Sequence, residues 1–126
     1  MFQLALAAYQ NGDFAAARSH LEGFVESEPA HAEALHLLAV LLARDKRFDE
    51  AERHFLAATR YAPNRLDFCC NYALSLHEQG RNQEAVDCFL PVLSRQSNLM
   101  PALNGLGMAL AQSGQPLYAA GASLGG

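Results

Sequence analysis

Tryptophan is absent from the sequence and β-branched residues are scarce, which removes several of the side chains that favour strands. Basic charge is also short: nine Lys and Arg, only one of them Lys, face thirteen Asp and Glu, for a net charge of −4. That balance argues against a nucleic-acid binder, which needs a basic stripe to neutralise phosphates. Cysteine is limited to Cys69, Cys70 and Cys88, an odd set without a disulfide framework or metal-ligand spacing, so free thiols in a reducing compartment are expected. Cys69 is expected at a packing position and Cys70 beside an inner helix face. Long apolar runs are missing too. The longest uninterrupted one, Leu37 to Ala43, is too short to span a bilayer, and Met1-Phe2-Gln3-Leu4 lacks a basic leader. A soluble, cytoplasmic chain with no membrane contact is predicted.

Catalytic patterns are wanting as well. There is no phosphate-binding loop, dinucleotide fingerprint or nucleophile elbow, so no cofactor and no catalytic residue is predicted. His20, His31, His36, His54 and His77 include no i, i+4 pair around a Glu, so no metal site is predicted either, and these side chains are expected to be solvated or to line a groove. The adjacent acids Asp49 and Glu50 open a helix, where complementing its dipole accounts for them. Finally, no Asp, Glu, Lys or Arg follows Arg95. The helical part of that uncharged end must pack on something, and self-association through Leu103–Leu124 is expected.

What is present is alanine and leucine, both strong helix formers, in a chain that is 51% apolar and 17% charged. This is a globular composition, and 126 residues suit one domain with a sizeable core. The order within it is a repeat. Pro29 and Pro63 recur at an interval of 34 residues, as do Ala17, Ala51 and Ala85; Phe14 and Phe48; Leu21, Phe55 and Phe89; and Gly80 and Gly114. Leu4, Leu38, Tyr72 and Leu106 form a further series at that interval.

Each copy resolves into two amphipathic stretches. The first predicts helices over Phe2–Gln10 and Phe14–Ser27 around a turn at Asn11-Gly12-Asp13. The second predicts Ala34–Arg44, a break at Asp45-Lys46-Arg47, and a helix from Asp49 to the stop at Pro63. In the third, helices over Phe68–Gln79 and Gln83–Arg95 flank Gly80, which suits a left-handed cap. A partial fourth copy supplies Met100–Gln115, with a short second helix conceivable over Leu117–Leu124. Pro91 falls inside a predicted helix and predicts a kink or an early end there. The Gly105-Leu106-Gly107 pair predicts close helix packing.

These residues resemble the tetratricopeptide repeat family, a helix–turn–helix unit of this period. The match rests on Leu4, Ala5, Gly12, Phe14, Ala17, Leu21 and Pro29 in the first unit. The second supplies Leu35, Leu38, Ala39, Phe48, Ala51, Phe55, Ala58 and Pro63, and the third Tyr72, Ala73, Leu76, Gly80, Ala85 and Phe89, with Ser97 in place of the proline. The resemblance implies an all-α, right-handed superhelical solenoid of stacked antiparallel helix pairs. It would form one domain over 1–126, with units at about 1–31, 32–65 and 66–99 and a partial unit over 100–126. Small alanines would let helices approach, bulky side chains would fill the space between units, and several hairpins must stack to bury their faces.

The family's inner positions imply a concave groove for a protein or peptide, lined by Leu6, Tyr9, His36, Leu37, Val40, Arg44, Asn71, Leu74, His77 and Met108. Its apolar stripe is Leu6, Leu37, Val40, Leu74 and Met108, shared between groove and inter-helix core. The clamp by which some members hold a chaperone's C-terminal carboxylate is not matched. Its positions hold Phe2, Leu6, Leu37, Asp67 and Asn71, or, one unit on, His36, Val40, Asn71, Pro101 and Gly105. The asparagine ladder of sugar-nucleotide transferases is matched by Asn71 alone. A non-enzymatic interaction scaffold is therefore expected. The alternatives are the N-terminal repeats of a larger sulfotransferase- or glycosyltransferase-like enzyme, or a type III secretion chaperone. Arginine-rich, lysine-poor usage hints at a bacterial source.

Overall fold

The computed structural model describes residues 2–112. Over these residues it is all-helical: α1 (Phe2–Gln10), α2 (Phe14–Ser27), α3 (Ala32–Arg44), α4 (Phe48–Tyr61), α5 (Leu66–Glu78), α6 (Asn82–Arg95) and α7 (Met100–Gln112), with no strand among the described residues. None of these helices is long and apolar enough to cross a membrane. The expected helix over Leu117–Leu124 lies outside the described residues.

The turns inside each hairpin repeat in atomic detail. Gly12, Lys46 and Gly80 all have positive φ (82°, 66° and 80°). At each turn that residue's N–H bonds to the carbonyl three residues back: Gly12 to Tyr9, Lys46 to Ala43, Gly80 to His77. The next N–H reaches five back: Asp13 to Ala8, Arg47 to Leu42, Arg81 to Leu76. This pair of bonds is the Schellman closure, which satisfies carbonyls that a helix end would otherwise leave bare. Lys46 occupies a position that glycine would take without steric cost, so its backbone is strained by about 1 kcal/mol.

Asp13, Arg47 and Arg81 then serve as N-caps. The Asp13 carboxylate accepts from the Ala16 N–H at 3.2 Å. Arg47 and Arg81 have no capping acceptor and instead hold the first-turn acids Glu50 and Glu84 at 2.6 and 2.7 Å. Those carboxylates complement the helix dipole. The second helices end alike: the Glu28, Ala62 and Gln96 N–H groups bond to Phe24, Ala58 and Val92 carbonyls. Pro29 and Pro63 follow the first two of these ends and disfavour further helix.

Contacts gather into two compact units, one up to Phe68 and one from Cys69 onward. In the first unit α1 packs on α2, α2 on α3 and α3 on α4. Ala5, Ala17, Ala39, Ala51 and Ala58 are fully buried, and their small side chains let the helix axes approach. Leu21, Leu38 and Phe55 fill the remaining space, the phenyl group alone contributing about 2–3 kcal/mol. In the second unit α6 packs on α7, with Ala73, Ala85, Phe89, Ala102 and Ala109 buried.

Three local expectations are corrected. The helix carrying Pro91, where a kink or an early end was expected, does not end early but continues to Arg95. Cys70 is the buried thiol of its pair, at 2% exposure, and Cys69 is half-buried. Of the two glycines in α7, only Gly105 marks a close approach: an added Cβ would overlap the buried Phe89 ring, whereas at Gly107 it would meet nothing within 4 Å.

Candidate interaction surface

The ten groove candidates all sit on first helices of hairpins. Leu6 and Tyr9 are on α1; His36, Leu37, Val40 and Arg44 on α3; Asn71, Leu74 and His77 on α5; and Met108 on α7. The first six belong to the unit ending at Phe68, the last four to the other. None is fully buried: Arg44 and Met108 are exposed and the rest are half-buried. Leu6, Val40, Leu74 and Met108 recur at the repeat interval. This position is apolar in every copy yet open to solvent, whereas the residues just before it in the first three copies, Ala5, Ala39 and Ala73, are completely buried.

In the first unit three of the candidates, Tyr9, Arg44 and His36, pack on two aromatic rings. Phe14, at the start of α2, carries the edge of the Tyr9 ring at a centroid distance of 5.4 Å. The Arg44 guanidinium lies over the same ring, its Cζ 4.0 Å from the centroid. Phe68, at 1% exposure, stacks on the His36 ring at 4.1 Å and 14°, while Phe55 meets that ring edge-on. Arg65 also lies over Phe68, at 4.3 Å, and its edge is held by Asp67 and Glu33. Burial pushes the His36 imidazole down to about 4; Asp67 and Glu33 oppose that shift and Arg65 adds to it. The ion pair with Arg65 holds the Asp67 carboxyl below its usual range.

In the second unit, His77 Nδ1 lies 2.7 Å from Asn82 Oδ1. This pair occupies the same two repeat positions as Tyr9 and Phe14, so a ring contact in one unit is replaced by a hydrogen bond in the other. Cys88 is half-buried, and burial raises its thiol to about 11, far from a reactive thiolate. Among the described residues, no group of three His, Cys, Asp or Glu is placed to hold a metal ion.

Two histidines, expected to be solvated or to line a groove, bond to backbone instead. His31 caps α3, its Nδ1 accepting from the Ala34 N–H at 3.1 Å, and its ring packs on Phe2 and Phe24. His54 Nδ1 bonds to the Glu50 carbonyl at 2.8 Å. The sequence reading missed the supporting role of Phe14, Phe68 and Asn82. The available signal was their place at hairpin boundaries, within a few residues of inner positions.

Comparison with known proteins agrees with this architecture. A family model described as Tetratricopeptide repeat matches residues 2–65, and a second of the same description matches 66–98. No curated protein matches in sequence, whereas 44 solved chains match. Among these, MamA AMB-1 aligns with a TM-score of 0.78 and 18% identity, over 90% of this chain. The chain spans 62% of the length of that structure.

Proposed function

The chain belongs to the tetratricopeptide repeat family, and from that premise we propose that it is a non-enzymatic scaffold binding a peptide or protein segment in the concave groove lined by first helices. The fold class, an all-α tetratricopeptide solenoid, supports an interaction scaffold in the coarse sense. The finer reading is carried by one observation: Leu6, Val40, Leu74 and Met108 hold one repeat position apolar and solvent-accessible in all four copies. Two such apolar anchors within each unit, Leu6 and Val40 in one and Leu74 and Met108 in the other, with polar neighbours such as Asn71 and His77 in the second, suit an amphipathic helix or extended segment. With the acidic net charge, the partner is a protein and not a nucleic acid. A second copy of the chain is a further proposed partner, through the uncharged end that α7 begins.

The test compares partner capture by the wild-type chain with Leu74→Glu and Asn71→Ala. Leu74→Glu is expected to weaken binding by about tenfold or more, from one lost apolar contact and one buried charge. Asn71→Ala should give a smaller loss, and helicity by circular dichroism should hold. Unchanged capture by both variants would sink the groove reading.

A further inference from the structure

Four of the eight arginines spend their guanidinium edges on carboxylates within the chain. Arg18 holds Asp45 at 2.6 Å, Arg47 holds Glu50 at 2.6 Å, Arg65 holds Asp67 and Glu33, and Arg81 holds Glu84. Arg44 differs. Its flat face is stacked on Phe14, and no hydrogen bond or ion pair within the described residues takes its edge. The two carboxylates beside it in sequence or at its plate are already engaged: Asp45 with Arg18, and Asp13 as the cap of α2. Arg53 and Arg60 are also unpaired but have no ring beneath them.

Stacking and anion recognition use different parts of a guanidinium. The ring takes the face, and the five N–H donors in the plane stay available. A side chain already held in one place loses less rotamer freedom when a ligand arrives. Leu37, Val40 and Arg44 follow one face of α3 at i, i+3 and i+7 spacing. On α1, Leu6 and Tyr9 share a face at i, i+3 spacing, and Tyr9 rests on the ring that supports Arg44. Apolar contact and one unmatched positive fork therefore meet in a single unit. This position holds Gln10, Arg44, Glu78 and Gln112 in the successive copies, so only one copy presents a cation.

We propose that Arg44, held by Phe14, is a carboxylate-binding site, and that the segment it receives is an amphipathic peptide with an Asp or Glu side chain beside apolar residues that settle on Leu6, Leu37 and Val40. The proposal rests on the groove reading above and adds the partner's chemistry.

Selection of a random displayed-peptide library on the full chain tests it. Enriched peptides should combine apolar residues with an Asp or Glu. For one such peptide, fluorescence anisotropy should show about tenfold weaker binding when its acid is replaced by the amide, and a similar loss with Arg44→Ala. The two changes together should cost no more than either alone. Arg44→Lys and Phe14→Leu should recover only part of the affinity, and Arg60→Ala should leave it unchanged. The peptide-side change keeps the test valid even if a protein variant folds poorly. Equal binding with acid or amide, or a loss seen only when the peptide's terminal carboxylate is amidated, overturns the proposal. If Leu37→Glu abolishes binding while Arg44→Ala does not, the groove survives and the acidic partner falls. If no peptide is enriched, both fall.

Discussion

His36 shows how much one side chain's surroundings decide. Its place on α3 marked it as a groove residue, yet its ring is stacked on Phe68 and edged by Phe55. Burial favours the neutral ring, with a folded value of about 4 against the ordinary 6.5. Between those values the unfolded chain binds the extra proton, so stability rises with pH through that window and is lost as pH falls from about 6.5 toward 4. Asp67 and Glu33 face the ring and soften the effect, while Arg65 sharpens it. Asp67, whose own value is lowered, acts in a more acidic window. Urea midpoints measured across this range should rise with pH in the wild type and flatten in His36→Phe. An unchanged profile in that variant would assign the pH dependence to other groups. The burial pattern of Cys69 and Cys70 belongs to the same scale. Adjacent helical positions face different directions, and sequence alone placed the wrong one inward.

At the scale of the helix, most of the architecture was legible because it is written in local chemistry. The bounds of α1 and α2 agree with the sequence expectation, since Gly12 and Asp13 are strong stop and start residues. The start of α3 was missed by two residues because its cap is His31, a residue outside the usual capping set. Pro91 was expected to kink α6 or end it early; the early end does not occur, and Phe89 and Val92 on either side of it are buried within a helix that runs to Arg95. The glycine pair of α7 separates propensity from packing. At Gly107 alanine should stabilise by about 0.5–1 kcal/mol, since nothing opposes the gain in helix propensity. At Gly105 the same change would place Cβ 2.6 Å from Phe89 Cε1 and 2.9 Å from Cε2. That ring is fully buried and has no room to withdraw, so overpacking by about 1–3 kcal/mol wins. Thermal unfolding of Gly105→Ala and Gly107→Ala should therefore shift in opposite directions. Two shifts of the same sign would refute the packing account.

For the molecule as a whole, the repeat makes the ends as informative as the middle. Leu4 is 58% exposed, while its equivalents Leu38 and Leu106 are 2% and 6% exposed. Helices α1 and α7 contain no charged residue, whereas each helix between them has at least two. Met100 and Met108 add exposed apolar surface to α7. The candidate site was less legible than the fold because inner positions carry no fixed residue type, and support from Phe14 or Phe68 comes from tertiary packing. The uncharged stretch that includes α7 was legible in the sequence, since no Asp, Glu, Lys or Arg follows Arg95. Self-association through the end that α7 begins should appear as a weight-average mass that rises with concentration in sedimentation. Met100→Glu should reduce it, since the charge would have to be buried in the contact. Leu4→Glu distinguishes two geometries. If α7 meets α7 of another copy, the contact is closed, the series stops at a dimer and Leu4→Glu changes nothing. If α7 meets α1, the contact is head to tail, species of increasing size form, and Leu4→Glu suppresses them as strongly as Met100→Glu. A mass that stays monomeric at high concentration rules out both.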